Sequence, residues 1–320
     1  MNDHKPVAGC DVCYKTELKK VPSTRTFAKS YDTLPISDLP TVLDVDFSNF
    51  CNLKCVMCTE KRSSKWAKDL GLPVSKLTYD RIDNLLSISG HVKHLTVQGG
   101  EPSIMPEYEY FFEKLDERGI AQNIDVQIIT NATNINRKFY DLLGRFKSVV
   151  LGVSVDAYGL ANDYIRWPSK FGQITKNIQA IGDLQGPIQV NILNTINILS
   201  MYDYGKFLEW CSEMEQIFES KGKILRTIPM KVQNPKAYSP FSATVELKEK
   251  FCDDVGQFMS KRTLSHNANW KLEMMLLVKS IKGSPVDDKA ILDLKHKITD
   301  LDGKRNKNIT KFIPDFYNYL

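Results

Sequence analysis

Short β-branched or apolar runs alternate along the chain with longer stretches in which apolar positions recur every three or four residues. The runs are 41–48 (TVLDVDFS), 92–100 (VKHLTVQGG), 124–130 (IDVQIIT), 147–157 (KSVVLGVSVDA), 188–199 (IQVNILNTINIL) and 223–232 (KILRTIPMKV). They predict six strands. The stretches 79–89, 107–119, 136–146, 171–184 and 204–218 carry the helical period between them. Strand and helix alternating at this length build successive βαβ units around a parallel sheet, an α/β fold. Six such strands make either an open sheet or a partial barrel, and periodicity does not separate the two. In both, ligands are expected at the loops that leave the carboxyl ends of the strands.

Beyond 234–246 (NPKAYSPFSATVE), with its two prolines, the alternation stops. The segments 247–261, 270–283 and 287–301 all read as helices, with no convincing strand among them. The expected organisation is a polar arm over 1–35, an α/β core over 36–235 and a helical extension over 236–320.

Composition narrows the class. Of 320 residues, 42% are hydrophobic and 25% charged, the balance of a soluble globular protein. The formal charge of +5 is spread over mixed runs such as EKLDERG, which predicts a solvated surface and no nucleic-acid partner. No apolar run is long enough to span a bilayer, and the first residues, MNDHKPVAGC, show no apolar segment of a secretion signal. An odd number of clustered cysteines without an export signal argues for a reducing compartment, the cytoplasm, and for thiolate chemistry over disulfides.

Three of the seven cysteines fall in residues 47–60 (FSNFCNLKCVMCTE). Cys51, Cys55 and Cys58 follow the spacing C-x3-C-x2-C directly after the first strand. On a buried helix they would share one face, as small hydrophobes do. Composition alone would produce this spacing in about three chains per thousand. Structural zinc takes four protein ligands, and a [4Fe–4S] cluster normally takes four thiolates. Three thiolates leave one metal position for a ligand that is not protein, as at catalytic metal sites.

These residues resemble the radical S-adenosylmethionine (radical SAM) enzymes, with Met57 standing where an aromatic residue is commoner. The resemblance implies a [4Fe–4S] cluster on Cys51, Cys55 and Cys58, whose fourth iron is chelated by S-adenosylmethionine. It implies reductive cleavage of that cofactor to a 5′-deoxyadenosyl radical, a partial (β/α)6 TIM-type barrel, and an electron donor of the flavodoxin or ferredoxin type. QGGEP (98–102) resembles the family's GGEP motif, so Gly99, Gly100, Glu101 and Pro102 are expected to receive the cofactor's amino group; glycines permit close backbone approach and a carboxylate accepts from an ammonium. ITNAT (129–133) and SVDA (154–157) resemble segments that bind the ribose side, through Asn131, Ser154 and Asp156. Arg166, in DYIRWPSKF, is similar to an arginine that pairs with the methionyl carboxylate. Asn194 and Val232 are lesser candidates.

The flanks extend the likeness. CDVCYKTELKKVPSTRTF (10–27) is similar to the upstream segment of relatives that carry a Twitch-type auxiliary domain, which makes Cys10 and Cys13 a candidate auxiliary metal site. Such relatives often modify peptides or proteins, and that class is the expected substrate, with a small metabolite or nucleotide next. Two thiolates are half of what a second cluster needs, so the expectation is a single cluster. Cys211 and Cys252 lie in helical patterns and read as buried packing. His91 and His94 stand at the entry of the second strand, opposite its ligand-side loop, and read as structural. The alternative class is a non-catalytic iron–sulfur or zinc protein, for electron transfer or assembly. Glu101 and the polar strand ends argue against it, because an electron carrier needs neither.

Overall fold

A computed structural model of the chain describes residues 9–18, 23, 25–26, 31, 37–262, 264 and 270–320. Six strands, β1 (Val42–Asp46), β2 (His94–Gln98), β3 (Asp125–Thr130), β4 (Ser148–Ser154), β5 (Ile188–Ile196) and β6 (Leu225–Lys231), form one sheet in the order β1-β2-β3-β4-β5-β6. Every neighbouring pair is parallel. β1 and β6 are the two edges of an open sheet, and Pro229, which has no N–H to donate, lies on the β6 edge.

The strands coincide with the sequence runs to within a few residues, and burial alternates along β2 and β5. On β5, Ile188, Val190, Ile192, Asn194 and Ile196 are buried while the residues between them are half-buried. One face of the sheet is therefore apolar and packed. The other carries Asp44, Thr96, Gln98, Gln127, Asn191 and Thr195 in partly or fully exposed positions. A parallel sheet covered on both faces would read as continuous apolar runs. Here, among the described residues, the polar face stays partly exposed.

Helices cover the packed face. α1 (Asp11–Leu18) precedes the sheet. α2 (Ser64–Asp69) and α3 (Tyr79–Ser87) lie between β1 and β2, and α4 (Pro106–Glu117) and α5 (Arg137–Leu143) follow β2 and β3. α6 (Gly159–Ile165) and α7 (Phe171–Asp183) join β4 to β5, and α8 (Tyr204–Ser220) joins β5 to β6. α9 (Val245–Lys261), α10 (Trp270–Lys282) and α11 (Asp288–Arg305) complete the chain's long helices, and their apolar residues Phe251, Trp270, Ile281 and Ile298 belong to the same buried core as the sheet. α2 and α6 carry no helical signal in the sequence. They are six and seven residues long, and five of the seven in α6 are buried, so neither shows an amphipathic period.

Tyr108 on α4 ties the ends of the first two strands. Its ring stacks on Phe47 with centroids 4.4 Å apart. Its hydroxyl accepts from the Phe47 N–H at 3.1 Å and donates to the Gln98 carbonyl at 2.8 Å. The cysteine loop and the QGGEP turn thus leave the sheet side by side.

Candidate functional site

The three cysteines stand on an irregular loop at the carboxyl end of β1, not on a helix face. α2 holds the loop from one side. The Ser64 hydroxyl bridges the Cys51 N–H and carbonyl at 3.1 and 3.2 Å, Ser63 donates to the Leu53 carbonyl at 2.6 Å, and the Trp66 indole donates to the Cys55 carbonyl at 3.0 Å. The end of α6 and the segment after it hold it from another: the Lys54 N–H donates to Trp167 O at 2.6 Å and the Val56 N–H to Ile165 O at 2.8 Å. Met57 is half-buried against the core.

The QGGEP turn packs directly on this loop. The Gly100 N–H donates to Ser48 O at 2.9 Å and the Glu101 N–H to Phe50 O at 2.8 Å. A Cβ on Gly100 would stand 2.0 Å from the Phe50 carbonyl oxygen, and one on Gly99 would stand 2.3 Å from Asp46 Oδ1. Gly99 also has φ +123°, a backbone region that L side chains rarely enter. The close approach that these glycines permit is to the cysteine loop itself.

Glu101 is buried, and four donors surround its carboxylate. Oε1 accepts from the Ser103 N–H (3.1 Å), the Ser103 hydroxyl (2.7 Å) and the Thr130 hydroxyl (2.6 Å); Oε2 accepts from the Asn131 N–H (2.6 Å). Burial raises its pKa while these donors work the other way. A carboxylate has about four acceptor sites, two on each oxygen, so Oε2 is the oxygen with capacity left. Glu101 thereby joins the end of β2 to the end of β3. Pro102 opens the short turn Pro102–Ile104 that Glu101 caps.

Asn131 sits at the junction. Its amide donates to Asn52 Oδ1 at 2.9 Å and approaches Cys51 Sγ at 4.0 Å, while its Oδ1 accepts from the Thr133 N–H and hydroxyl at 2.9 and 2.6 Å. Ala132 next to it holds φ +49°, a strained conformation for a residue with a Cβ.

Arg166 and Asp156 are engaged with each other. Arg166 Nη2 donates to Asp156 Oδ1 at 3.1 Å, and Nε lies 2.7 Å from Oδ2 as a close ion-pair contact. The remaining nitrogen, Nη1, approaches Cys55 Sγ at 3.9 Å. Burial opposes the charge on Arg166, but Asp156 and Cys55 outweigh it and raise its pKa. Asn194 is fully buried; its amide donates to the Val155 and Asp156 carbonyls at 3.2 and 2.9 Å, and its oxygen accepts from the Tyr204 hydroxyl at 2.8 Å. Ser154 ends β4 half-buried. Val232 is buried, with its N–H on Ile196 O at 2.9 Å.

Cys10 and Cys13 lie just before and within α1, both partly buried. Cys211 is buried on α8, and Cys252 is partly buried on α9. The His91 ring pairs with the Ser37 hydroxyl at 2.5 Å, and His94 lies beside the Tyr31 ring at 5.1 Å. Among the described residues, no group of three His, Cys, Asp or Glu side chains converges to hold a single metal ion.

Two contributors carry no sequence signal. Arg305, at the end of α11, donates to Tyr164 O at 2.8 Å and to Lys54 O at 2.7 Å, so the last long helix grips the cysteine loop. Asn52 accepts from Asn131 and donates to the Thr133 hydroxyl at 2.7 Å, linking the loop to the end of β3. A cavity of about 280 Å³ opens beside Cys58, lined by Trp66, Tyr238, Lys297 and Asp300 among others.

The donor set suits an anionic iron–sulfur cluster. Burial pushes the Cys51 thiol up to about 11 and the Cys55 thiol up to about 12, and moves Cys58 the same way. Donors already face two of the sulfurs: the Leu53 N–H at 3.5 Å and the Asn131 amide on Cys51, and Arg166 on Cys55. Thiolates bound to iron are charged acceptors that would use these donors.

The family model described as the Radical SAM superfamily matches residues 45–206, which run from β1 through the start of α8. The chain belongs to the radical SAM superfamily. It is 24% identical over 205 residues to a GTP 3′,8-cyclase of Rhizobium leguminosarum bv. trifolii (strain WSM2304), covering 61% of this chain and 54% of that protein. The chain thus spans about half the length of the curated relative it matches. Among solved structures it resembles Streptococcus suis SuiB bound to precursor peptide SuiA, with TM-score 0.47 and 16% identity over 83% of this chain and 55% of that one. It also resembles native anSMEcpe with bound AdoMet, with TM-score 0.45 and 19% identity over 69% of this chain and 60% of that one. Both cofactors of the family, the [4Fe–4S] cluster and S-adenosylmethionine, go with this membership.

Proposed function

We propose that this chain is a radical SAM enzyme that acts on a peptide or protein. The observation that carries the radical SAM chemistry is the three-cysteine loop of β1, clamped by α2, α6 and α11 and faced by sulfur-directed donors; the peptide or protein substrate rests on the likeness of residues 10–27 to Twitch-bearing relatives. When bound, the cluster and S-adenosylmethionine supply a 5′-deoxyadenosyl radical for hydrogen abstraction. Cys51, Cys55 and Cys58 hold the cluster. Glu101 would accept from the cofactor's ammonium through Oε2, because Oε1 is already committed to Ser103 and Thr130. Gly99, Gly100 and Pro102 set the turn that presents it. Asn131, Ser154 and Asp156, at or just past neighbouring strand ends, would serve the ribose side with Asn194 beside them, and Arg166, paired with Asp156, would serve the methionyl carboxylate.

The open sheet serves as the family's partial (β/α)6 barrel, with residues 36–235 as the core, 236–320 as a helical extension and 1–35 as a Twitch-like arm. Cys10 and Cys13 are then a remnant of an auxiliary site or a weak metal pair. An electron donor of the flavodoxin or ferredoxin type fits the chemistry, as does a cytoplasmic location. Among the described residues no helix is long and apolar enough to cross a membrane.

The test is anaerobic reconstitution with iron and sulfide, reduction with dithionite, and quantification of 5′-deoxyadenosine from S-adenosylmethionine. Wild type should form it slowly without substrate, and Cys51→Ala, Cys55→Ala and Cys58→Ala should not. A Cys55→Ala protein working at the wild-type rate defeats the reading.

A further inference from the structure

Resting on the radical SAM reading above, we propose that the outer face of α2 and the turn after it are the docking surface for an acidic electron-transfer protein, which reduces the cluster through this side of the cysteine loop.

α2 stands between two cavities, and each has one of the three cysteines in its wall. One, of about 490 Å³, is lined by Cys51 together with Phe50, Lys65, Lys68, Leu72 and Val74 among others. The other, of about 280 Å³, is lined by Cys58, Trp66 and Leu70 among others. The rim of these cavities is apolar and uncovered: Phe50, Leu70, Leu72 and Val74 are 45%, 63%, 47% and 49% exposed. Single apolar residues on a surface are ordinary, whereas a contiguous group beside a cavity marks a contact site. The turn is pinned to the cysteine loop. The Asn49 N–H donates to Ser75 O at 3.3 Å, the Ser75 N–H to Asn49 Oδ1 at 2.9 Å, and the Ser48 hydroxyl to Ser75 O at 2.6 Å. The Leu72 N–H donates back to Ala67 O on α2 at 2.8 Å. The patch therefore holds a fixed place against the cysteines.

Charge decides what covers it. Residues 50–76 carry six Lys or Arg against two acidic residues, a surplus of four in a chain whose whole surplus is five. Lys54, Arg62 and Lys76 are paired with Asp69, Asp46 and Glu107. Lys61, Lys65 and Lys68 are exposed and, among the described residues, make no ion pair. An apolar centre edged by free lysines beside a buried redox site fits a partner whose own redox group lies among carboxylates. The lysines steer the encounter, and the apolar rim excludes water at contact. Such encounters bury less than about 1,200 Å², so a patch of this kind is large enough. A nucleic acid would use the lysines and leave the leucines uncovered. In the transfer the donor loses one electron and the cluster gains it; no bond forms and no proton moves.

The probe is an acidic flavodoxin, oxidised for binding and enzymatically reduced for electron transfer to the anaerobically reconstituted full chain. Iron is counted in every variant. Calorimetric titration at low ionic strength should show binding to wild type and a loss of about tenfold or more in the double variant Lys65→Glu, Lys68→Glu. Stopped-flow absorbance should show flavodoxin reducing that variant's cluster slower by a similar factor. Photoreduced deazaflavin, a small neutral reductant, should reduce both proteins at about the same rate. The control Lys279→Glu, Lys289→Glu makes the same charge change on exposed positions of α10 and α11 and should bind as wild type does. Leu72→Asn should weaken binding without changing its salt dependence, while added salt should weaken wild type more than the Lys65→Glu, Lys68→Glu variant. Lys65→Gln, Lys68→Gln should lie between that variant and wild type, and it decides the matter if charge reversal costs iron. Wild-type affinity in the Lys65→Glu, Lys68→Glu variant, or an equal loss in the control, overturns the assignment. So does equal slowing with deazaflavin and flavodoxin, since the lysines would then act on the cluster itself. If an acidic peptide is the occupant instead, flavodoxin neither binds nor reduces wild type, which also overturns it. A wild type that takes up no iron overturns the radical SAM reading; a wild type with its cluster and unaffected variants overturns this assignment alone.

Discussion

The Arg305 guanidinium donates to the carbonyl oxygen of Lys54 at 2.7 Å, joining the last long helix to the middle of the cysteine loop across 251 residues of chain. The same side chain donates to Tyr164 O and lies over the rings of Tyr164 and Trp167, at 5.3 and 5.8 Å from their centroids. Three pieces of the site, the loop, α6 and α11, thus meet at one residue.

Arg305→Ala should therefore act on both stability and cluster retention. It removes two charge-assisted bonds to backbone carbonyls, each worth about 1.5–3 kcal/mol. Urea unfolding should show a loss of about 3 kcal/mol or more, and reconstituted protein should hold its iron less well against a chelator. An unfolding midpoint equal to wild type would show that α11 does not hold the loop.

Gly100→Ala tests the contact between the QGGEP turn and the loop. The new methyl would sit 2.0 Å from Phe50 O, which is backbone and cannot rotate away. Overpacking of this kind costs about 1–3 kcal/mol or more. Gly256→Ala on α9 is the control, since nothing lies within 4 Å of its added Cβ. It should be neutral or stabilise the helix by about 0.5–1 kcal/mol. Equal thermal midpoints for the two variants would count against the packing described.

Glu101 separates binding from architecture. Glu101→Ala leaves donors from Ser103, Thr130 and Asn131 without their acceptor in a buried site. Each unsatisfied group costs about 1–3 kcal/mol, so this variant should be markedly less stable in urea. Glu101→Gln keeps one acceptor oxygen and should fold better. Its affinity for S-adenosylmethionine should fall roughly tenfold to a hundredfold, the worth of a charge-assisted bond. Wild-type affinity in Glu101→Gln, read by calorimetric titration, would leave Glu101 a purely structural bracket.

The arm is tested by counting iron. Reconstituted wild type and the double variant Cys10→Ala, Cys13→Ala should both hold about four iron per chain, one [4Fe–4S] cluster. A count near eight that falls to four in the double variant would establish an auxiliary cluster at the arm.

Local pattern carried much of this protein. Short β-branched and apolar runs placed all six strands, and on β5 burial alternates cleanly, as Ile192 and Asn191 illustrate. Cys51, Cys55 and Cys58 are legible because their ligating atoms come from eight consecutive residues. Glu101 is legible as a site residue, but its work as a bracket between β2 and β3 is not, since Thr130 and Asn131 lie 29 and 30 residues away.

Tertiary structure alone decided which charge meets which. The resemblance gave Asp156 and Arg166 separate expected duties, toward a ribose and toward a carboxylate; the fold pairs them with each other and brings the third Arg166 nitrogen to Cys55. Arg305 reads as one more charge in the mixed run at the end of a helix, and nothing nearby in sequence marks it. Hydrophobic periodicity depends on neighbours a few residues apart, so the sequence by itself determines elements and contiguous motifs. A buried ion pair depends on two distant segments arriving at one point with water excluded, and only the closed chain supplies that condition.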